Sequence, residues 1–249
     1  MPRPPTSDPS ASLVPPRVGR VPWKTFAALV ILALASFNLD ELGSMAFQVV
    51  DLPGDVDQEL RSLQQFGQFG SLVLLTIVVL RLERPALRRT LLDLGLALLL
   101  GALVCNGLKT LVGRARPAFG TPDEFHPLWS SVETTMSWSQ LASMPSSHTM
   151  AAAVTATWIA LVVPRLRWLG FGLVAVVGVA RIRFGHHWPS DVFAGAAIGS
   201  LIGSVTIGRL LGTRLLDVLW RALVDRNASP AAPAVAIAVR NRRNMKATT

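Results

Sequence analysis

Apolar residues fall along this chain in long blocks rather than in the alternation of a half-buried strand. Six such blocks run over about 25–37, 66–80, 91–108, 146–163, 168–180 and 192–211, with short polar or charged stretches between them. Continuous apolar runs of this kind read as helices that cross a membrane. Several fall short of the roughly 20 residues a crossing helix needs and must borrow flanking positions. The pattern predicts an all-α polytopic membrane protein: six transmembrane helices in one bundle, with both ends of the chain on one side. The first block holds Ala33-Leu34-Ala35, which resembles a signal-peptidase site, so a cleaved leader is the alternative to a first span. Apolar character resumes over 42–50, and an acidic connector carries Asp51, Asp55, Asp57 and Glu59, with Asp40 and Glu41 just before it.

Outside the blocks, residues 1–22 are rich in Pro, Ser and Arg, have no apolar period and read as a disordered tail. The membrane domain is expected over 23–211. Residues 212–249 form a third part, amphipathic and then basic. Within 209–226, Arg209, Thr213, Asp217 and Arg221 are spaced with leucines between, which predicts an amphipathic helix on the cytoplasmic surface. Residues 227–249 are Ala- and Pro-rich, end in Arg240, Arg242, Arg243 and Lys246, and read as disordered and suited to anionic head groups.

Composition agrees with the blocks: 51% hydrophobic, 16% charged, mean hydropathy +0.44. The net charge of +9 lies between apolar segments and forms no basic stripe, so no nucleic-acid partner is expected. Its distribution gives topology instead. The termini and the loops at 81–90 and 164–168 hold 18 of the 24 Lys and Arg. The positive-inside rule therefore makes both termini cytoplasmic. The opposite face keeps only Arg61, Lys109, Arg114, Arg116, Arg181 and Arg183. Most of these lie beside Pro- and His-containing clusters, which topology does not explain and an anionic ligand does. The single Cys105, inside an apolar run, offers no disulfide framework and no redox motif.

Three clusters carry the chemistry. Lys109 and Arg116, about two turns apart, are expected to share a helix face that Pro117 ends; taken alone, two such cations simply snorkel to water. Pro145-Ser146-Ser147-His148 opens the fourth block with two hydroxyls and free backbone N–H groups, an arrangement that suits an anion. In the stretch 181–191, Pro189 is expected to open a helix, so that His187 and Asp191 meet across its first turn. A carboxylate there takes the Nδ1 proton and leaves Nε2 free as base or nucleophile. All three clusters lie at the outer ends of spans. A phosphoryl group needs this set: cations for its oxygens, a nucleophile, and an acid for the leaving oxygen.

These clusters resemble the three motifs of the type 2 phosphatidic acid phosphatase family: Lys-x6-Arg-Pro, Pro-Ser-Gly-His and Ser-Arg-x5-His-x3-Asp. Here they read Lys109…Arg116-Pro117, Pro145-Ser146-Ser147-His148 and Ala180-Arg181…His187…Asp191. The resemblance implies that His187 is the nucleophile of a phosphohistidine, Asp191 its orienting partner and His148 the general acid. It also implies that Lys109, Arg116, Arg181, Ser146 and Ser147 cradle the phosphate. Ser147 replaces the family's glycine and Ala180 its serine; neither change removes a catalytic group. Arg114, Arg183, His126 and His186 have no counterpart in the motifs and are expected at the rim. No cofactor is implied. A metal held by His148, His186, His187 and Asp191 is disfavoured by the cations around them. The segment 113–143, with Trp129 and Trp138, suits either a lid or an aromatic belt.

The implied function is a metal-independent membrane phosphatase for a lipid phosphate or diphosphate, of phosphatidic acid, phosphatidylglycerol phosphate or polyprenyl diphosphate type, with its site outside the cytoplasm. The alternatives are a phosphotransferase, a phosphatase for soluble esters, and a non-catalytic lipid-binding or transport relative.

Overall fold

The computed structural model describes residues 22–66, 68–81, 85–129 and 136–237. The expected disordered start over 1–22, all but its last residue, and the basic end 238–249 lie outside the described residues, as do 130–135 of the long outer segment.

Every apolar block of the sequence is helical. Helix α1 (Trp23–Ser36) passes through a 3₁₀ turn, Phe37–Leu39, into α2 (Asp40–Val49). Residues Trp23–Val49 thus make one apolar rod of 27 residues, running through Ala33-Leu34-Ala35. The acidic connector folds as α3 (Gly54–Leu63), with Asp55 and Asp57 in its first turn and Arg61 in its last, the charge order a helix dipole favours. Then come α4 (Phe69–Arg81), α5 (Pro85–Val112), a short α6 (Trp138–Leu141), α7 (Ser147–Val162), α8 (Arg167–Arg183), α9 (Pro189–Gly208) and α10 (Leu211–Leu223). Among the described residues, three stretches are long and apolar enough to cross a bilayer: Trp23–Val49, Arg88–Val112 and Pro189–Gly208; Ser147–Val162 is apolar but shorter. The chain is an all-helical membrane protein.

Helix α9 is the centre of the bundle, packed on α1, α5 and α7. Glycines recur along it at every fourth position, and that seam lets the α7 backbone in. A Cβ at Gly195 would lie 2.4 Å from the Ser146 carbonyl oxygen, and one at Gly199 2.3 Å from that of Met150. Small residues at this spacing are how membrane helices reach backbone-to-backbone contact. The contacts advance together along both helices, so α7 and α9 run parallel and their N-termini emerge side by side. Beyond them, Leu94, Ala97, Met150, Val154, Trp158 and Ile207 form a core with Cys105 inside it. Apolar side chains also cover the outside: Leu74, Leu103, Trp168 and Leu219 are all exposed, as suits a surface bathed in lipid.

Two sequence expectations fail here. Helix α10 does lie where an amphipathic helix is expected, but the middle of its polar face points inward, while Arg209 and Arg221 stay exposed. Thr213 and Asp217 are buried while Leu215, Leu219, Trp220 and Leu223 face out. The reason is a polar partner on α5: Asp93 accepts hydrogen bonds from Thr213 N (3.0 Å) and Thr213 Oγ1 (2.7 Å). Nor are residues 227–237 disordered. Asp217 Oδ2 accepts from the N–H groups of Ala231 and Ala232, both at 2.9 Å, and this places Ala232, Val235 and Ala236 in the interior.

Candidate active site

The site is built where four helices end together. Helices α7 and α9 bring their N-termini, with free N–H groups and the positive end of the dipole. Helices α5 and α8 bring their C-termini, where cations are favoured. Trp188 caps α9, Pro189 occupies its first turn, and Asp191 Oδ2 accepts from Trp188 N at 2.9 Å. Ser146 caps α7, its Oγ accepting from Thr149 Oγ1 at 3.0 Å. Its own N–H donates to the Asp191 carbonyl at 3.0 Å, which pins the two helix starts to each other.

The cations arrive from three directions. Lys109, in the last turn of α5, is buried and donates to Ala142 O at 2.9 Å. Arg181, in the last turn of α8, is buried and donates from Nη1 to Gln64 Oε1 at 3.0 Å. Arg116 is not on the α5 face as expected. The helix stops at Val112 because Gly113 turns left-handed at φ +57°, with the His126 carbonyl where a side chain would begin. The loop that follows brings Arg116 back, so that Lys109, Arg116 and Arg181 share one field. His148, half-buried in the first turn of α7, lies within electrostatic reach of all three and of His186. Ser147 opens α7, also half-buried.

The His187 ring is buried, and its Nδ1 lies 3.8 Å from Asp191 Oδ2, within ion-pair reach but too long for a hydrogen bond. Asp191 is held by others. Oδ2 accepts from Ser143 Oγ (2.5 Å) and Trp188 N, and Oδ1 accepts from Arg114 Nη1 (2.8 Å). Burial pushes the His187 imidazole down to about 3, Arg181 and Lys109 adding to the effect and Asp191 opposing it. His186 falls to about 4, from burial first and then from Arg181, Arg116 and Arg61. Both rings are therefore neutral at pH 7, and a neutral imidazole has the lone pair a nucleophile needs. Burial likewise lowers Arg116, against the pull of Asp191.

One feature separates this cluster from ordinary buried polarity. Among the described residues, the buried side-chain nitrogens without a hydrogen-bond partner are Arg116 Nε, Arg181 Nε and His187 Nδ1. Buried polar groups are nearly always paired. Beneath the cluster a cavity of about 450 Å³, walled by Phe171, Val179, Ile182, Val192 and Phe193, lies between α1, α7, α8 and α9.

Of the residues expected at the rim, Arg114 is fully buried: it bridges Asp191 and Asp40 rather than facing water. Arg183 pairs with Asp57 at 2.8 Å and His126 with Glu124 at 3.2 Å, both at the edge of the site. Sequence reading also missed Asp40, Ser143, Gln64 and Ser190. Only Asp40 carried a signal, a carboxylate set between two apolar runs.

The sequence profile described as PAP2 superfamily matches residues 90–214, half of the chain. The chain belongs to the PAP2 superfamily. It is 34% identical over 105 residues to a lipid A 1-phosphatase of Rhizobium johnstonii, and the match covers 42% of this chain. The chain spans about two fifths of that relative's length, 41%. It is 33% identical over 162 residues to the decaprenylphosphoryl-5-phosphoribose phosphatase of Mycobacterium tuberculosis, covering 63% of this chain and 81% of that one. A solved structure, the transmembrane PAP2 type phosphatidylglycerolphosphate phosphatase of Bacillus subtilis, matches with a TM-score of 0.52. That match covers 76% of this chain and 94% of the other, at 22% identity, and so speaks to the fold alone. The PAP2 match takes in all three motifs, from Lys109 to Asp191.

Proposed function

We propose that this PAP2 protein is a membrane phosphatase that hydrolyses a lipid phosphate or diphosphate through a phosphohistidine, without a metal. The observation that carries the reading is the trio of unpartnered buried nitrogens on Arg116, Arg181 and His187, gathered at two parallel helix N-termini. Charge supports it. The four cations Lys109, Arg114, Arg116 and Arg181 are set against two buried carboxylates, Asp40 and Asp191, which leaves two positive charges in excess. A phosphate monoester, carrying about −1.5 to −2 at neutral pH, matches that excess.

In this mechanism Nε2 of His187 attacks phosphorus while Nδ1–H points at Asp191. The bond from phosphorus to the leaving oxygen breaks, and His148 hands that oxygen its proton. Lys109, Arg116, Arg181 and the N–H groups at the start of α7 hold the three remaining oxygens. Water then attacks the phosphohistidine, His148 takes the proton, and phosphate leaves with Nε2 restored. The apolar cavity beneath the site favours a substrate with a hydrocarbon chain, and both named relatives act on phosphate-bearing lipids. Mere lipid binding would need the cations but neither histidine.

We further place six crossings at Trp23–Val49, α4, α5, α7, α8 and α9 within a 23–211 domain, with 212–249 as a separate tail. Both termini then lie in the cytoplasm and the site outside it. The decisive experiment is phosphate release by purified protein from a panel of lipid phosphates and diphosphates with EDTA throughout. Release from at least one lipid is expected; activity confined to soluble esters, or none without added metal, overturns the reading. Single cysteines at Arg88 and Asp123 fix the side: an impermeant reagent on intact cells should label only the second.

A further inference from the structure

The structure buries Asp40 and Arg114 completely and joins them through the site. Every N–H of the Arg114 guanidinium is engaged. Nε and Nη2 donate to Pro122 O at 3.0 and 2.8 Å, Nη1 to Ser190 Oγ at 2.7 Å and Asp191 Oδ1 at 2.8 Å, and Nη2 to Asp40 Oδ2 at 2.7 Å. Asp40 in turn accepts from Ser190 N at 2.8 Å and Ser190 Oγ at 2.5 Å. The rings of Phe37, Phe125 and Trp188 surround the guanidinium at 4.8, 5.3 and 5.7 Å. Two carboxylates on one arginine, all at zero exposure, are a poor route to stability, because desolvation offsets most of the attraction. Fixed geometry is what such a triad provides, and the planar five-donor fork of arginine provides it better than lysine can.

The geometry is spent on Asp191. With Oδ1 on Arg114 and Oδ2 on Ser143 and Trp188 N, the carboxylate cannot rotate, and Oδ2 stays turned to His187 Nδ1. We propose that Arg114 and Asp40 are positioning residues for phosphoryl transfer: Arg114 holds the Asp191 carboxylate aimed at His187, and Asp40 anchors Arg114 to the Trp23–Val49 rod. The inference rests on the phosphohistidine reading above and adds to it a residue from the first rod, outside all three motifs. Neither group touches substrate, so their loss should slow the chemical step and leave phosphate binding alone.

The experiment is rapid-quench measurement of acid-labile phosphoenzyme in full-length wild type, Asp40→Asn, Arg114→Lys and Ser190→Ala. The amplitude counts folded sites and the rate reads the chemistry. Loss of an outer partner that orients a metal ligand costs roughly 10- to 100-fold, and the same order is taken for the partner of a catalytic carboxylate. That loss is expected in the phosphorylation rate of Asp40→Asn and Arg114→Lys, with KM within about twofold, and a several-fold loss in Ser190→Ala, which keeps all the charges. A lower amplitude at an unchanged rate, in Asp40→Asn or in the milder Ser190→Ala, reduces the triad to scaffolding and overturns the proposal. So does a KM that rises in step with the lost rate. Absence of phosphoenzyme in the wild type sinks the phosphohistidine reading instead; turnover per monodisperse molecule then decides the positioning role by the same ratios.

Discussion

Helix α5 carries a buried polar cluster at each end, and the two are built to opposite rules. The ends lie about 24 Å apart, from the 1.5 Å rise over the residues between Asp93 and Lys109. At the N-terminal end Asp93 is satisfied by Thr213, and Asp217 by Ala231, Ala232 and, at 3.5 Å, Arg89. Donors and acceptors there are matched. At the C-terminal end cations outnumber carboxylates, and Arg116, Arg181 and His187 keep nitrogens without partners. Both clusters are buried and both contain aspartates, so burial and charge alone do not mark a site. The mark is a surplus of donors of one sign, which folding does not need and an anion does.

The comparison breaks if the two ends respond alike to mutation. The largest effect is expected at His187: its replacement by alanine should abolish phosphoenzyme and cut turnover by at least about a thousandfold, while Asp191→Asn should leave a slow enzyme, because Nε2 remains. Quenched single-turnover assays check both, and a near-wild-type rate in His187→Ala would mean the nucleophile lies elsewhere. At the matched end the expected effect is smaller and of another kind. Asp93→Ala leaves Thr213 N unpaired, and Thr213 Oγ1 with only its 3.3 Å bond to Arg89 O, and should cost about 1–3 kcal/mol of stability, read as a lower melting temperature in detergent, with kcat per folded molecule unchanged.

The smallest effect is on pH dependence. His187 is depressed to about 3 in the folded protein against about 6.5 unfolded, so between those values the unfolded chain binds more protons. Stability should therefore fall as pH drops below 6.5, by about 1 kcal/mol from this residue between pH 6.5 and 5.5, and His187→Gln should flatten that slope. A slope that persists unchanged in His187→Gln would assign it to other groups.

Much of this was legible in the chain. Apolar blocks located the helices, because a lipid-facing helix must be apolar over its whole length. Three spaced clusters located the residues that the fold gathers, because each falls at a helix end where charge is tolerated. What stayed hidden has physical causes. The amphipathic period of α10 is real, but periodicity does not say which face is inside when the outside is lipid, and here Thr213 and Asp217 point inward to Asp93. Arg116 reaches Lys109 through the left-handed turn at Gly113, which helical spacing cannot foresee. Arg114 and Asp40 are 74 residues apart, and no local pattern pairs them.

The glycine seam between α7 and α9 has a mechanical consequence. Gly195 and Gly199 let two main chains touch, so the separation between the helix of His148 and the loop of His187 is set by backbone and not by compressible side chains. A bilayer that thins, thickens or changes its lateral pressure must then deform softer contacts first, such as those at α4 or α10. His148 and His187 ride on a joint of two touching main chains, and their spacing should be the last dimension that membrane composition alters.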